Sequence, residues 1–136
     1  MVPRREFMLP GQEQAFLDAY GCPWETLVDG SQWVLLHEFP TLADGYEPHS
    51  VIAAIRIETG YPKSALDMVY FFPAIRRKDG KPIGATQGTQ TIDGKMFQRW
   101  SRHYTKEHPW VIGESSLETH IYTIEDWLRR EFPQQA

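Results

Sequence analysis

The stretch GYPKSALDMVYFFP, residues 60–73, combines a turn signal with a strand signal. Gly60 and Pro62 are turn formers, and they precede LDMVYFFP, a run of β-branched and aromatic residues that predicts a strand. Because its apolar residues are consecutive rather than alternating, we expect this strand to be buried on both faces. The chain therefore contains a sheet, and this strand lies inside it.

Three more strands and a helix are predicted on the N-terminal side of that turn. VIAAIRIE, residues 51–58, is rich in β-branched residues, and TLVDGSQWVLLHEF, residues 26–39, has two apolar runs separated by Asp29-Gly30, a strong hairpin signal. LPGQEQAFLDAYG, residues 9–21, predicts a short amphipathic helix that ends at Gly21 in a left-handed conformation. The predicted order is one helix followed by a four-stranded antiparallel meander.

The C-terminal side is predicted to contain a loop and then a helix. Residues 74–94 are rich in glycine and are interpreted as a long exposed loop, which in a compact domain is usually functional or mobile. In ESSLETHIYTIEDWLRREF, residues 114–132, Ser115 and Glu118 have capping-box spacing. Apolar residues recur there at helical spacing, and two charged pairs stand at i,i+4. The apolar residues are Leu117, Ile121, Ile124 and Leu128, and the pairs are Glu125 with Arg129 and Asp126 with Arg130.

Length and composition restrict the class of protein. A chain of 136 residues fits one α+β domain, residues 1–136, and contains no apolar stretch near the ~18 residues of a membrane span. MVPRREFML is followed by PGQEQ rather than by an apolar run, so we expect no secretory signal and a cytoplasmic location. The net charge of -4 argues against general nucleic-acid binding. A protein partner or a small substrate is favoured instead.

The cysteine and the histidines do not predict a metal or cofactor site. Cys22 is the single cysteine, so it forms no internal disulfide, and no basic residue adjoins it in the sequence. We interpret it as a structural thiol. None of the five histidines falls in an HExxH pattern. No metal and no cofactor are predicted.

Candidate catalytic residues lie in IDGKMFQRWSRHYTKEHPW, residues 92–110. A serine hydroxyl needs a base to act as a nucleophile, and Ser101 and His103 share a face if the segment is extended. Arg102 could place a positive charge beside an oxyanion or a carboxylate. No Gly-x-Ser-x-Gly motif supports a hydrolase. A nucleophilic role and a hydrogen-bonding or partner-contacting role therefore both stay open.

The same segment carries a candidate protein-binding surface. Its aromatic residues alternate with basic residues, and protein interfaces are enriched in aromatic residues and arginine. For any one ring, packing in the core is the favoured alternative. The predicted partner-binding residues are Phe97, Arg99, Trp100, Tyr104 and Trp110.

The order of elements and three motifs resemble the ubiquitin-conjugating enzyme fold. GYPKSALDMVYFFP resembles the Tyr-Pro turn and fourth strand of that superfamily, and DGKMF, residues 93–97, resembles its Asn-Gly-x-Ile-Cys active-site approach. PWVIGESSLETHIYTIEDWL, residues 109–128, resembles the crossover that leads into the helix after the active site. More closely, residues 10–131 are similar to the prokaryotic conjugating-enzyme-like family E. The fold implied is α+β, with an N-terminal helix, a four-stranded antiparallel meander and a C-terminal helix.

The sequence departs from the active conjugating enzymes at the catalytic position. Carried over from the resemblance, the catalytic cysteine falls on Phe97, which cannot form a thioester. GATQGTQTIDG, residues 84–94, has no counterpart of the His-Pro-Asn motif. Cys22 precedes the first strand and is far from this position in sequence. A cysteine thioester is therefore not expected.

The resemblance leaves three functional hypotheses. In the first, the protein is a component of a bacterial ubiquitin-like modification pathway that binds an activating-enzyme-like protein, a ubiquitin-like protein or both, without a thioester. In the second it is a transferase, and Ser101 carries the ubiquitin-like protein as an oxyester with help from His103. The third is an RWD-like, non-enzymatic interaction domain, since a shared fold does not fix function. A JAB-type protease of the same pathway is a further expected partner, whereas nucleic acid and membrane are not.

Overall fold

The structure, a computed structural model, describes residues 2–42 and 44–132. Residue 1, residue 43 and residues 133–136, which the predicted single domain also spans, lie outside the described residues. The elements are α1 (Gly11–Tyr20), β1 (Trp24–Asp29), β2 (Ser31–Pro40), β3 (Tyr46–Glu47), β4 (Ser50–Ile57), β5 (Val69–Phe72), β6 (Arg76–Arg77), β7 (Gly88–Ile92), β8 (Lys95–Trp100) and α2 (Leu117–Arg130). No helix in the described ranges is long and apolar enough to cross a membrane.

Six strands form one antiparallel sheet in the order β1-β2-β4-β5-β8-β7, and β3 pairs with β6 in a separate two-stranded ribbon. The predicted α+β class, with a helix, an antiparallel sheet and a C-terminal helix, is confirmed. The predicted strand count differs from the structure. β1, β2, β4 and β5 follow one another across the sheet as expected, but β8 and β7 extend it beyond β5.

The prediction of a long loop over residues 74–94 is wrong, because β6 and β7 lie within it. β7 and β8 form a hairpin whose register runs from Gly88 opposite Arg99 to Ile92 opposite Lys95. Asp93 and Gly94 have φ values of 54° and 74°, the left-handed conformation that two-residue hairpin turns require. Ile92 is fully buried, so the hairpin is held to the sheet by apolar packing as well as by hydrogen bonds.

Alternation along the strands places apolar side chains on both faces of the sheet. One face packs under α1 and α2 through Leu17, Val34, Leu36, Phe39, Ala53, Ile55, Val69, Phe71, Trp100, Leu117, Ile121, Ile124, Trp127 and Leu128. The opposite face, called here the second face, carries its own cluster of Leu27, Trp33, Leu35, Ala54, Tyr70, Ile92 and Phe97. All four apolar residues that recur at helical spacing in α2 are buried, so this side of the helix packs on the sheet.

The sheet curves so that its two ends meet beside the second face. The backbone N–H of Asp93, in the β7–β8 turn, donates to Asp29 Oδ2 on β1 at 2.9 Å. Arg4 donates to both Glu25 of β1 and Asp93, at distances of 2.8–3.0 Å. These hydrogen bonds, together with burial of the Glu25 side chain to 3% exposure, place a fixed ion pair at the join. The donors from Arg4 lower the pKa of Glu25 to about 2, and His37 adds a further hydrogen bond at 2.7 Å.

The helix ends agree with the sequence in part. α1 ends at Gly21, whose φ of 101° is left-handed as predicted. The capping box of α2 is formed by Ser116 and Thr119, one residue after the predicted Ser115 and Glu118, because Ser116 Oγ accepts from the Thr119 N–H and Thr119 Oγ1 accepts from the Ser116 N–H.

Of the two ion pairs predicted on α2, one forms. Arg130 Nε lies 2.7 Å from Asp126 Oδ2, as expected from i,i+4 spacing. Arg129 lies 3.9 Å from Asp126 and not against Glu125. Glu125 instead accepts a hydrogen bond from the Tyr20 hydroxyl of α1. The predicted Glu125–Arg129 pair is wrong because a tertiary contact between the two helices takes the carboxylate.

Candidate functional site

The Tyr-Pro turn ties together the elements that surround residues 101–110. The Tyr61 hydroxyl donates to Glu13 of α1 and accepts from the Leu117 N–H, at 2.7 Å, at the start of α2. Trp110 Nε1 donates to the Pro62 carbonyl at 3.0 Å. Glu13 is 6% exposed, and burial raises the pKa of its carboxyl. This network positions the end of the candidate segment against both helices.

Residues 101–105 continue from β8 without belonging to a helix or strand. The Ser101 N–H donates to the Ala85 carbonyl at 3.0 Å. The Arg102 carbonyl accepts from the Met68 N–H, just before β5, at 3.1 Å. The backbone is therefore fixed on both sides where the candidate catalytic residues begin.

His103 has an acidic partner that holds its ring. Its Nδ1 lies 2.9 and 3.0 Å from the two carboxylate oxygens of Asp67, so Nδ1 donates and Nε2 is left for another partner. An aspartate that fixes one ring nitrogen in this way is the arrangement that orients a general base. The side chain of His103 is 61% exposed. Within the described residues, however, Ser101 Oγ makes no hydrogen bond to His103, and thus the proton path of a serine nucleophile is not formed.

Arg102 points toward α2 rather than toward Ser101 or His103. Its Nη2 lies 3.3 Å from Glu131 Oε1, and its guanidinium lies 5.1 Å from the Trp100 ring centroid. Ser101, Arg102 and His103 therefore have different partners and do not form one hydrogen-bonded unit. Their catalytic assignment stays a prediction.

The predicted partner-binding residues divide into two groups. Phe97 and Trp100 are each 1% exposed and lie on opposite faces of the sheet, so neither ring is available to a partner in this conformation. Arg99, Tyr104 and Trp110 are half-buried and retain accessible surface. A partner-binding role of this set stays a prediction, and direct contact would come from the second group.

A buried histidine connects the candidate segment to α2. His120 is fully buried; its Nε2 donates to the Met68 carbonyl at 2.9 Å, and its Nδ1 accepts from the Tyr104 hydroxyl at 2.7 Å. Burial lowers the pKa of His120 to about 4 and raises the pKa of Tyr104 to about 12. The Tyr104 ring also lies 5.4 Å from the Trp110 ring. His120 therefore lies inside the fold with both ring nitrogens satisfied.

Neither position considered for a thiol offers an accessible thiolate. Phe97, the residue at the carried-over cysteine position, lies in β8 with its ring 5.6 Å from that of Phe72. Cys22 is 8% exposed, and its Sγ donates weakly to the Glu38 carbonyl at 3.6 Å. Burial raises the pKa of this thiol, which opposes formation of the nucleophilic thiolate.

The comparison with protein families decides the relationship. The family model described as Prokaryotic E2 family E matches residues 9–131, a range that includes both helices and every strand. The chain belongs to this family. The sequence-based identification of prokaryotic E2 family E is thus confirmed. No curated protein and no solved structure matches the chain.

Two residues of the candidate site were missed by sequence reasoning. Asp67 stands 36 residues before its partner His103, and no motif spacing links them. Glu13 lies in the first turn of α1, where an acidic residue is ordinary, yet its carboxylate reaches the Leu117 N–H at 3.3 Å across the fold. The only available signal for Asp67 was its place as the one charged residue in the predicted strand LDMVYFFP, residues 66–73.

Proposed function

We propose that this protein is a conjugating-enzyme-like component of a prokaryotic ubiquitin-like modification pathway. In this role it binds the activating-enzyme-like protein, the ubiquitin-like protein or both, and it forms no cysteine thioester. Membership of the prokaryotic E2 family E supports the pathway. The burial of the single cysteine, Cys22, supports a role without a thioester.

The single observation that carries the proposal is the burial of the chain's one thiol. Cys22 is the only cysteine in the sequence, it is 8% exposed, and burial raises its pKa. A thioester acceptor needs the opposite, which is an exposed thiol with a lowered pKa. The carried-over position, Phe97, supplies a buried ring and no nucleophile. Binding without covalent transfer is the role that these residues can support.

A binding surface around Trp110 is the second support. Trp110 is followed by Val111 and Ile112, which are 39% and 68% exposed. The Trp110 indole is fixed by its hydrogen bond to Pro62 and by the Tyr61 and Tyr104 rings, 6.2 and 5.4 Å away. A rigid aromatic residue beside exposed aliphatic side chains has the composition of a protein-binding patch.

One observation favours the serine carrier as a second candidate. Asp67 holds His103 by Nδ1, which leaves Nε2 to accept a proton. In that mechanism the Ser101 hydroxyl would give its proton to His103 Nε2, attack the thioester carbonyl of the carrier and release the donor thiol. The segment would have to move so that Ser101 Oγ meets Nε2. The RWD-like hypothesis is what remains if neither pathway protein binds.

The proposal is tested by measuring the affinity of the purified activating enzyme and of the ubiquitin-like protein for this chain by calorimetry. We expect at least one to bind, and Ile112→Glu to weaken that binding because it places a charge in the apolar patch. Met8→Glu introduces the same charge at another side chain, 73% exposed, and serves as the matched control. Absence of binding by both proteins would contradict the proposal and favour the interaction-domain hypothesis.

A further inference from the structure

The two edge strands of the sheet, β1 and β7, differ in whether another segment covers their outer backbone groups. The outer edge of β1 is covered by the N-terminal segment: the Glu6 N–H donates to the Thr26 carbonyl, and the Thr26 N–H donates to the Arg4 carbonyl, each at 3.0 Å. The Val28 N–H of β1 donates to Glu6 Oε1 at 2.8 Å. On the opposite edge, Thr89, Gln90 and Thr91 of β7 are all exposed. An exposed edge strand is a template for pairing with another strand.

The register of the β7–β8 hairpin defines which backbone groups are free. Ile92 and Lys95 flank the two-residue turn and form a hydrogen-bonded pair, so Gln90 with Phe97 and Gly88 with Arg99 are hydrogen-bonded pairs as well. The N–H and C=O groups of Thr89 and Thr91 therefore point away from β8. Within the described residues, the contact found for these four groups is a hydrogen bond of 3.3 Å from Gln90 Nε2 to the Thr91 carbonyl. That side chain can be replaced by a backbone donor.

The sequence of this edge does not oppose strand pairing. Natural edge strands are commonly protected by lysine, proline or inward-pointing charges. No charged residue occurs between Lys81 and Asp93, and β7 contains no proline. Its threonines are also favourable strand formers. A chain with a net charge of -4 thus has one neutral edge on which a second copy meets no like charge.

We propose that β7 is a self-association edge, on which β7 of a second copy of this chain pairs antiparallel about a twofold axis at Gln90. In this register Thr89 opposes Thr91 of the other copy, and the reverse pair is identical by symmetry. The four outward groups of each chain are then all used, in four interchain hydrogen bonds. Threonine pairs across antiparallel strands are favourable. The two sheets become one continuous sheet.

Charge complementarity supports the same register. An ideal Cβ built on Gly88 would lie 2.5 Å from Arg99 Nη2, so the guanidinium extends over β7 at that residue. Arg99 has no acidic partner among residues 2–42 and 44–132, and its Nε is buried without a hydrogen bond. In the twofold arrangement Ile92 of the second copy opposes Gly88, which brings the turn containing Asp93 beside this guanidinium. This turn carries Lys95 as well as Asp93, and Asp93 is already bound by Arg4 of its own chain, so Arg99 would share a carboxylate that it lacks in the monomer.

The association is expected to be weak, because three residues a side bury less than the roughly 1,200 Å² of a standard interface. The association is therefore measured by sedimentation velocity at protein concentrations from low micromolar up to about 1 mM, where a weak dimer forms. The wild-type mass should rise with concentration from 15.8 kDa toward that of a dimer. The double variant T89K/T91K should remain monomeric or associate about tenfold more weakly, since lysines would oppose each other across the axis.

The matched control is T59K/T105K, which adds the same two charges at exposed threonines that lie outside the six-stranded sheet. It should associate like the wild type. A wild type that is monomeric at every concentration would overturn the proposal, as would T89K/T91K dimers of unchanged affinity. Protection of the Thr89 and Thr91 amides from exchange only when another protein is added would assign the edge to that protein and overturn self-association. The proposal does not depend on the proposed function, so either can fail alone.

Discussion

The ion pair that joins the two ends of the sheet should make the fold sensitive to acid. Glu25 is 3% exposed at its side chain, and hydrogen bonds from Arg4 lower its pKa from an ordinary value of 4.5 to about 2. A carboxyl whose pKa is lowered on folding stabilises the folded state above the unfolded pKa, and this stability is lost as pH falls through the folded pKa. The difference corresponds to roughly 3 kcal/mol, of which about 2 kcal/mol is lost by pH 3.

The assay is urea unfolding of the wild type and Glu25→Gln at pH 7 and pH 3. Glutamine cannot ionise, so the variant should be less stable at pH 7, and the gap between the two proteins should narrow by about 2 kcal/mol at pH 3. Comparison with the wild type at each pH removes the contributions of other titrating groups. Glu107→Gln, an exposed carboxylate without a side-chain hydrogen bond among the described residues, should keep the wild-type pH dependence. Equal loss of stability by Glu25→Gln and the wild type between pH 7 and pH 3 would show that the Glu25 ion pair is not the source of the acid sensitivity.

Two further predictions concern the core. His120 should stay neutral down to about pH 4 in NMR titration, because its ring is buried and both nitrogens are hydrogen-bonded; protonation near its ordinary pKa of 6.5 would contradict the burial. Leu128→Ala, at a side chain 2% exposed, should lower the free energy of unfolding by about 3 kcal/mol, and Trp110→Ala by about 2 kcal/mol because Trp110 is only half-buried. Ile112→Ala, at an exposed residue, is the control and should change the free energy of unfolding by less than about 0.5 kcal/mol. Equal effects of Leu128→Ala and Ile112→Ala would show that α2 does not pack as described.

Local patterns predicted the elements whose signals are local. The apolar spacing of α2 and the consecutive apolar run of β5 each correspond to the burial found in the structure. The same dipeptide signal occurs at Asp29-Gly30 and at Asp93-Gly94, but only the first lies between two apolar runs. The strand before Asp93-Gly94 is rich in threonine and glutamine, so the sequence around it is typical of a loop. The β7–β8 hairpin is stabilised by Ile92 and Phe97, which pack on the second face. That face is closed only by curvature of the whole sheet, which no short stretch encodes.

The sequence predicted which segment contains the candidate site but not which side chains contact each other within it. Sequence reasoning selected residues 92–110, where the structure finds His103 oriented by Asp67 and Tyr104 bound to His120. The partners Asp67 and Glu13 are distant in sequence from the residues they contact, so spacing could not find them. Ser101 and His103 stand two residues apart, but their side chains do not meet. The Ser101 backbone is bound to Ala85, whereas the His103 ring is bound to Asp67.

We infer that this member of the prokaryotic E2 family E acts without forming a covalent carrier bond. Intact-mass spectrometry of the chain after incubation with its activating enzyme, ATP and the ubiquitin-like protein tests it most directly, with Cys22→Ala and Ser101→Ala as variants whose folding is verified by thermal melts. We expect an unchanged mass of this chain in all three reactions, while the complex with a pathway protein still forms. An adduct cleaved by thiol and absent from Cys22→Ala, or one resistant to thiol, cleaved by hydroxide and absent from Ser101→Ala, would contradict it.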